Sequence, residues 1–249
     1  MKRILITGVN GQLGQEIARS FLTDGYEVYG ADIQERCSFA SNKPGQFTYL
    51  SMNVVNREQV SRVFGQIFSQ VQILDVLVNN AGVAVFEHFL DRSDENFDHV
   101  TDVNLKGTFH CIQAYAKQMI DRQAKGSVIN IGSIYGVVSP DPRVYTDCAR
   151  NSSEIYGATK AGVVQMTKYF AVHLAQQGIR VNCVSPGGIL NPANPQGSNF
   201  VANYSNRCPM GRMAEAWEMI GAIRYFASAD LSSYTTGQNL VVDGGLSAW

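Results

Sequence analysis

The fold of this chain is decided by residues 4–14, which read ILITGVNGQLG. Ile4–Thr7 is a short β-rich run, and the apolar residues of Gln12–Leu22 recur at the spacing of a helix. The glycines between them allow a sharp turn, and the free N–H groups at a helix N-terminus favour a bound phosphate. A glycine triplet alone is weak evidence, but its position between a strand and a helix is the context that dinucleotide binding requires.

Strands and helices alternate along the rest of the chain. Further strands are predicted at Tyr26–Ala31, Phe47–Met52, Leu74–Val78, Ser127–Ile131, Arg180–Val184 and Gln238–Val242. Helices are predicted at Arg57–Phe68, Phe97–Met119 and Glu154–Gln176. This alternation predicts an α/β fold, with a doubly wound parallel sheet in one domain over residues 1–249. The linker-like stretches 136–153 and 186–212 are flanked by elements of the same sheet, so we interpret them as functional loops.

Composition excludes several classes of protein. The 249 residues are 45% hydrophobic and 16% charged, which is typical of a globular domain and not of a disordered chain. Lys and Arg number 20 against 21 Asp and Glu, so charge gives no case for binding nucleic acid or an anionic membrane. No apolar run is long enough for a signal peptide or a membrane span, and we expect a soluble, cytoplasmic protein.

The cysteines indicate neither a disulfide framework nor a metal site. They are odd in number and widely spaced, at Cys37, Cys111, Cys148, Cys183 and Cys208. No Cys-x-x-Cys pair or Cys/His cluster has the spacing of metal ligands, so no metal is predicted. Scattered thiols of this kind fit a reducing compartment.

An acidic residue, Asp32, follows the second predicted strand about 20 residues beyond the glycine loop. A carboxylate there can accept hydrogen bonds from the 2′-hydroxyl of an adenosine ribose, and it would repel a 2′-phosphate. Positions Val9, Asn10 and Gln12 carry no cation to offset that repulsion, and Arg36 is the nearest one. The sequence therefore predicts NAD as the cofactor in preference to NADP.

Tyr156 and Lys160 lie four residues apart at the start of a predicted helix. Positions i and i+4 share a helical face, so the phenol and the ammonium project together. A free tyrosine, with a pKa of about 10, is a poor base at neutral pH, and a nearby cation stabilises its phenolate. Such a pair can exchange a proton with a carbinol or carbonyl oxygen. Ser133, just after a predicted strand, can donate a hydrogen bond to the same oxygen.

Asn104 lies on the apolar stripe of the helix predicted over Phe97–Met119, together with Val100, Thr108, Cys111 and Tyr115. A polar group in such a place must find a partner. A satisfied core amide and a functional amide both remain open for this position.

These residues resemble the short-chain dehydrogenases/reductases over nearly the whole chain. The matching motifs, all in the family's order, are Thr7-Gly8 with Gly14, Asn79-Asn80-Ala81-Gly82, Asn104, Ser133, Tyr156-x-x-x-Lys160, Ser185-Pro186-Gly187-Gly188 and Val242-Asp243-Gly244-Gly245. The resemblance implies one Rossmann domain with a seven-stranded parallel sheet, a nicotinamide cofactor, a small-molecule substrate and a homodimer or homotetramer.

The resemblance also implies roles for individual residues. Tyr156 is the general acid/base, Lys160 holds the nicotinamide ribose and stabilises the phenolate, and Ser133 orients the substrate oxygen. Asn104 connects a proton relay to water. The cofactor-binding residues implied by the glycine loop and the family motifs are Gly8, Asn10, Gly11, Gln12, Leu13, Gly14, Asp32, Asn53, Val54, Asn80, Ala81, Gly82, Tyr156, Lys160, Pro186, Gly187 and Ile189.

The chain departs from the family's compact branch at two cofactor positions. The spacing of its glycines is that of the longer branch that uses sugar nucleotides, and Gln12 stands where the compact branch usually has glycine. Asn53 stands where that branch usually places an aspartate against the adenine. The amide oxygen of Asn53 can still accept a hydrogen bond, so the same contact is expected there.

The chain between Ser133 and Tyr156 is longer than in the compact branch. The extra segment, residues 139–151, leaves and re-enters the fold at two catalytic residues, so it should lie near the mouth of the site. A guanidinium binds phosphate or carboxylate bidentately, so Arg143 or Arg150 is expected to hold an anionic part of the substrate. Tyr145 and, from the amide-rich stretch after Gly188, Asn191 are further candidate substrate contacts.

We therefore expect an NAD-dependent oxidoreductase that interconverts a secondary alcohol and a ketone. A polar, sugar-derived substrate carrying phosphate or nucleotide is expected, since the polar loops resemble those of family members from bacterial surface-polysaccharide pathways. One alternative is a 3-oxoacyl-carrier-protein reductase, which a basic docking patch would favour. Another is a dinucleotide-sensing protein without turnover, against which the intact Ser133, Tyr156 and Lys160 argue.

Overall fold

Seven strands form one parallel sheet in the computed structural model, which describes residues 1–39, 46–146, 152–193 and 195–249. The strands are β1 (Arg3–Thr7), β2 (Glu27–Asp32), β3 (Phe47–Ser51), β4 (Val76–Asn79), β5 (Gly126–Ile131), β6 (Ile179–Pro186) and β7 (Asn239–Val242). The α-helices are α1 (Gln12–Thr23), α2 (Arg57–Gln70), α3 (Asp94–Thr101), α4 (Thr108–Asp121), α5 (Glu154–Leu174), α6 (Ser198–Arg207), α7 (Ile220–Ala227) and α8 (Ala229–Ser232). The predicted doubly wound α/β fold in a single domain is confirmed.

The sheet order is β3-β2-β1-β4-β5-β6-β7, so the direction of winding reverses between β1 and β4. Ligands of open α/β sheets bind at this switch point, in the crevice beyond the carboxyl ends of the strands. The glycine loop after β1, Asp32 at the end of β2 and Ser133 just after β5 all lie at that edge. The topology thus gathers residues that are distant in sequence.

Two apolar layers, one on each face of the sheet, form the core. Leu77 of β4 packs into the layer that is covered by α2, α4 and α5. Its neighbours Val76 and Val78 pack into the other layer, which is covered by α1 and α7. A strand that is buried on both faces reads as a continuous apolar run, and Leu74–Val78 was predicted from such a run.

The helix predicted over Phe97–Met119 is not continuous. A π-helical turn, Asp102–Gly107, separates α3 from α4. The wider turn rotates the face of α3 relative to that of α4, so Phe97 is 45% exposed although the predicted stripe placed it with buried Cys111. The turn carries Asn104, which is buried.

Candidate active site

The glycine loop brings the backbone after β1 against the backbone after β4. Gly8 has a φ of +66°, and a Cβ at this position would lie 2.8 Å from the Cα of Ala81. A Cβ at Gly14 would lie 2.2 Å from the carbonyl oxygen of Gly8. The Thr7 hydroxyl accepts hydrogen bonds from the backbone N–H groups of Asn80 and Ala81, at 3.1 and 3.0 Å. The absence of side chains at Gly8 and Gly14 therefore makes the close approach of the two loops possible.

A cleft of about 590 Å³ opens beside this loop and continues into a cavity of about 290 Å³ that reaches Tyr156 and Lys160. Every predicted cofactor residue except Gly14 lines one of these two spaces, and Gly14 packs beneath the loop. The arrangement fits an extended dinucleotide, with its phosphates at the N-terminus of α1. The lining residues that the sequence did not predict are Ile33, Gln34, Met52, Val83, Ala84, His99, Val103, Ile131 and Gly132.

Asp32 is fixed by the glycine loop. Its Oδ2 accepts a hydrogen bond from the backbone N–H of Asn10 at 3.0 Å, and its Oδ1 accepts one from the N–H of Gln34 at 3.3 Å. The Asn10 side chain in turn donates to the carbonyl oxygen of Arg36 and accepts from the N–H of Ser38. The carboxylate therefore lines the cleft at a set position, with the chain after β2 tied to the loop after β1.

The side chain of Asn53 lines the cleft with its oxygen already engaged. Oδ1 accepts a hydrogen bond of 3.0 Å from the backbone N–H of Val55. This oxygen forms an Asx turn and keeps a second lone pair, so its contact with an adenine amino group stays a prediction. Sequence alone could not reveal the turn, since it depends on the local conformation of residues 53–55.

The N-terminus of α5, which carries Tyr156, is held at two points. The Ser153 hydroxyl caps the helix by accepting from the backbone N–H of Tyr156 at 3.2 Å. Glu154 pairs at 3.0 Å with Arg92, which also pairs with Glu87 at 2.7 Å. The hydrogen bond from Arg92, whose side chain is 6% exposed, holds the pKa of Glu154 below its usual value.

Tyr156, Lys160 and Ser133 meet where the cofactor cavity joins a second cavity. The Lys160 ammonium is buried, donates to the carbonyl oxygen of Ile131 at 2.8 Å and lies 5.6 Å from the centroid of the Tyr156 ring. Within the described residues, no carboxylate forms a salt bridge with this ammonium. The Ser133 oxygen accepts from the N–H of Tyr135 at 3.1 Å, so its O–H remains available as a donor. Proton-transfer and hydrogen-bonding groups are thus placed around one point.

Asn104 joins two neighbouring segments. Its Oδ1 accepts from the backbone N–H of Val83 at 2.9 Å, and its Nδ2 donates to the Val83 carbonyl and to the Thr159 hydroxyl, each at 3.0 Å. This is a satisfied buried amide that fixes the chain after β4 against α5. A role for Asn104 in a proton relay stays a prediction.

The second cavity, of about 190 Å³, lies on the other side of Tyr156 and is rich in aromatic side chains. Its lining is Ala84, Phe86, Ser133, Ile134, Tyr135, Tyr145, Ser152, Tyr156, Gly187, Gly188, Gln196, Gly197, Phe200, Tyr204 and Met213. The hydroxyls of Tyr135 and Tyr145 are 3.3 Å apart, and the hydroxyl of Tyr204 accepts from the N–H of Gly188 at 2.5 Å. Among these lining residues there is no Asp, Glu, Lys or Arg.

Burial keeps two phenols of this cavity, those of Tyr135 and Tyr204, protonated. Desolvation, with a smaller contribution from Tyr145, raises the pKa of Tyr135 far above its ordinary value. Desolvation also raises the pKa of Tyr204 to about 12. These side chains are therefore neutral hydrogen-bonding groups at physiological pH, beside apolar ring faces.

Of the four predicted substrate contacts, the structure brings Tyr145 to this cavity. The Arg143 side chain is 76% exposed and pairs with Asp141 at 2.8 Å, so it lies outside the lining because its charge is neutralised next to it on the surface. Asn191 turns its Oδ1 to the N–H of Ala193 and is not a lining residue either. Arg150 lies outside the described residues.

The predicted functional loop 186–212 contributes residues to this cavity that the sequence did not predict. Gln196, Phe200 and Tyr204 line the cavity, and the last two lie one helical turn apart on α6. The Gln196 side chain donates to the carbonyl oxygen of Ile189 at 3.0 Å, which places its amide at the boundary between cofactor and substrate spaces. An aromatic pair at i and i+4 was the available signal.

The chain belongs to the short-chain dehydrogenase/reductase family, since a family model described as enoyl-(acyl carrier protein) reductase matches residues 8–247. It is an NAD(P)-dependent oxidoreductase. It is 33% identical over 270 positions to a D-arabinitol 2-dehydrogenase (ribulose-forming) of Candida tropicalis, covering 100% of this chain and 93% of the relative. It is 35% identical over 253 positions to the 3-oxoacyl-[acyl-carrier-protein] reductase FabG of Thermotoga maritima, covering 98% and 97%.

Solved structures share the fold over their whole length. A short-chain dehydrogenase from Leptospira borgpetersenii, solved with bound NAD+, is 42% identical with a TM-score of 0.92 and coverage of 98% of this chain and 92% of that one. ElxO, solved with NADP bound, is 26% identical with a TM-score of 0.86 and coverage of 100% and 99%. In the described part of this chain, every helix is too short or too polar to cross a bilayer.

Proposed function

We propose that this enzyme interconverts a secondary alcohol and a ketone on an uncharged, polyhydroxylated substrate of the polyol and ketose type, with NAD as cofactor. The observation that carries this proposal is the cavity beside Tyr156, where neutral phenols and ring faces stand without a charged group in the described lining. Phenol hydroxyls pair with hydroxyl groups, and ring faces pack on the C–H faces of a sugar chain. The relationship to a D-arabinitol 2-dehydrogenase supports the same substrate class.

The sugar-derived part of the expectation is retained, and its phosphorylated or nucleotide-linked part is not. An anionic substituent needs a cation to replace its water, and a charge buried without a partner is costly. Arg143, the cation expected to fill this role, is held by Asp141 on the surface.

In this proposal each residue around the reacting carbon has a separate role in the reaction. When bound, the dinucleotide supplies or accepts the hydride. Tyr156 exchanges the proton of the substrate oxygen, taking it as the alcohol is oxidised and returning it as the ketone is reduced. Ser133 donates a hydrogen bond to that oxygen, and the Lys160 ammonium stabilises the phenolate and the nicotinamide ribose. Asn104 keeps the segment after β4 in contact with α5.

The preference for NAD rests on Asp32. Its carboxylate is held by two backbone N–H groups and lines the cleft, where a 2′-phosphate would meet it. Two like charges at short range in a partly desolvated site repel strongly. Structures of this fold have been solved with NAD+ and with NADP, so the fold alone does not determine which of the two cofactors a chain prefers.

A 3-oxoacyl-carrier-protein reductase is the second candidate, supported by the relationship to the enzyme of Thermotoga maritima. The apolar side chains of Phe86, Phe200 and Met213 in the cavity would suit an acyl group. Docking of an acidic carrier needs free cations near the cavity mouth. Arg92, however, is paired with Glu87 and Glu154, and Arg143 with Asp141.

An inserted loop and a lid form the two sides of the substrate entrance in this proposal. Residues 136–153 are the inserted active-site loop and 186–212 are the lid. The Asn203 side chain donates to the Thr146 hydroxyl at 3.0 Å, which joins the two stretches. We include a homodimer or homotetramer, because α4 and α5 expose Phe109, Tyr169 and Val172. Light scattering on the purified enzyme tests the assembly.

Turnover assays separate the candidates. The purified enzyme is offered NAD with a panel of four- to six-carbon polyols, and NADH with the corresponding ketoses and with a 3-oxoacyl thioester. Preferred turnover of polyols and ketoses supports the proposal, and preferred reduction of the thioester supports the second candidate. Tight dinucleotide binding without turnover on either panel would favour the sensing protein instead.

A further inference from the structure

The side chain of Tyr135 is carried by a short turn after β5 that is fixed to the catalytic groups. The hydroxyl of Ser133 caps this turn by accepting a hydrogen bond of 3.1 Å from the backbone N–H of Tyr135. The turn also packs closely on α5, because a Cβ at Gly136 would lie 2.7 Å from the carbonyl carbon of Lys160. A Cβ at Gly157 would lie 2.9 Å from the carbonyl oxygen of Tyr135. The backbone of Tyr135 is therefore held in place against both Ser133 and α5.

The phenol of Tyr135 lies on the substrate side of the catalytic point. Ser133 and Tyr156 line both the cofactor cavity and the second cavity, whereas Tyr135 lines the second cavity alone. A substrate whose reacting oxygen lies between Ser133 and Tyr156 has its remaining atoms in the second cavity. The atoms next to the reacting carbon therefore lie on the side of the cavity to which Tyr135 belongs.

Most of the hydrogen-bonding capacity of this phenol is unused. A tyrosine hydroxyl can donate one hydrogen bond and can also accept. In the described part of the chain, the Tyr145 hydroxyl is the only partner of the Tyr135 hydroxyl, at an O···O distance of 3.3 Å. Hydrogen bonds between hydroxyl oxygens are usually about 2.7–2.8 Å long, so this contact is weak. A polar group that is removed from water without good partners is unfavourable, so a ligand that bonds to the phenol gains free energy.

A neutral hydroxyl is the ligand group that matches this environment. Burial raises the pKa of Tyr135 far above its ordinary value, so the phenol is neutral, and the described lining of the cavity contains no cation for a carboxylate or phosphate. A purely apolar substituent would remove water from the phenol and give it no partner. A substrate hydroxyl can donate to the phenol oxygen or accept from its O–H.

We propose that Tyr135 determines specificity by forming a hydrogen bond with a second hydroxyl of the substrate, on the carbon next to the reacting one. The enzyme then favours α-hydroxyketones and the corresponding vicinal diols over simple ketones and alcohols. The neighbouring carbon is assigned because Tyr135 follows Ser133, which holds the reacting oxygen, by only two residues on one rigid turn. This inference rests on the proposed function and narrows its substrate class.

Reduction of two ketones that differ by one hydroxyl, acetoin and butanone, tests the assignment. In the wild-type enzyme, kcat/KM with NADH should be about tenfold or more higher for acetoin. In Tyr135→Phe the ratio of the two kcat/KM values should fall by about tenfold. The intrinsic reactivity of each ketone is the same with every variant and cancels in this comparison. The matched control is Tyr225→Phe, whose lost hydroxyl is bonded to Thr235 at 3.0 Å and lies outside the cavity lining.

The control should keep the wild-type ratio. A fall of less than about threefold in Tyr135→Phe, or an equal fall in Tyr225→Phe, would overturn the inference and leave the proposed function intact. A wild-type enzyme without a preference for acetoin would overturn it as well, and this measurement decides the matter by itself if Tyr135→Phe does not fold. Failure of the wild-type enzyme to reduce either ketone, with reduction of the 3-oxoacyl thioester, would instead contradict the proposed function.

Discussion

The ring of Tyr145 packs against the ring of Phe200, with centroids 5.2 Å apart and an angle of 40° between the planes. One ring belongs to the segment inserted between Ser133 and Tyr156, and the other belongs to α6. An ion pair at 3.2 Å between Asp141 and Arg207 ties the same two segments. The outer wall of the cavity beside Tyr156 is therefore a joint between two stretches that lie outside the sheet.

Replacement of Tyr145 by Ala removes half of this joint. Aromatic pairs contribute about 0.5–1.5 kcal/mol beyond their burial, so KM for the substrate should rise about 3- to 10-fold with little change in kcat. Arg143→Ala is the matched control from the same segment, and both of its constants should stay at wild-type values, because that side chain is exposed and bonded to Asp141. Steady-state kinetics of both variants check this. If KM rose in Arg143→Ala and not in Tyr145→Ala, the result would support an anionic substrate instead.

Tyr156→Phe should abolish turnover and leave dinucleotide affinity nearly unchanged. The ring still packs beside Lys160 but can no longer exchange a proton, and loss of a positioned acid/base costs about 10²–10⁴-fold in rate. Stopped-flow rates and a binding titration on the same preparation measure the two quantities. Rates like those of the wild type would remove Tyr156 from the mechanism.

Asp32→Asn should weaken the selection of NAD over NADP. The amide keeps the shape of the side chain but removes the charge that faces the 2′-phosphate, so the ratio of kcat/KM for the two cofactors should fall by about 10-fold or more. Glu35→Gln, an exposed carboxylate three residues further on that does not line the cleft, is the control and should leave the ratio unchanged. An unaltered ratio in Asp32→Asn would show that a group other than the Asp32 carboxylate selects NAD over NADP.

The acid side of the stability curve should depend on Asp141. Hydrogen bonds from Arg143 hold the pKa of this carboxylate at about 2, below the ordinary value of about 4. A depressed folded-state pKa contributes stability above the unfolded-state pKa, and that contribution disappears as the pH falls towards 2. Urea unfolding of the wild type and of Asp141→Asn should therefore differ at pH 6 and converge only at about pH 2 and below. A constant difference over that range would contradict the assignment.

The central strands of the sheet were predictable because they are covered on both faces. Strands such as β4 then become apolar runs that can be read directly, and their ends were predicted to within about two residues. The break at Asp102–Gly107 was not, because a π-helical turn leaves the apolar repeat almost unchanged. Likewise α6 was missed, since its amide-rich sequence is apolar at only a few positions. These residues pack against Leu190, Met213 and Leu246, and Phe200 also packs against Tyr145.

The site residues were predictable where they lie at the end of a strand or at the start of a helix. Asp32 and Ser133 lie at or just beyond strand ends, and Tyr156 lies at a helix start, so sequence position nearly determines their place at the sheet edge. Arg143 lies outside the cavity lining and pairs with the neighbouring Asp141, an interaction that its place in the sequence did not reveal. The Asx turn of Asn53 could not be foreseen, because it depends on the local conformation of residues 53–55.

The joint between Tyr145 and Phe200 lies outside the sheet, the glycine loop and the Tyr156 helix. The wall of the cavity is therefore built from different segments than the groups around Tyr156 and Lys160. A sugar-alcohol dehydrogenase and an acyl reductase are about equally similar to this chain, so overall identity does not distinguish the two substrate classes. For engineering, residues 139–146 and α6 are the part to exchange as a pair when a new substrate is wanted.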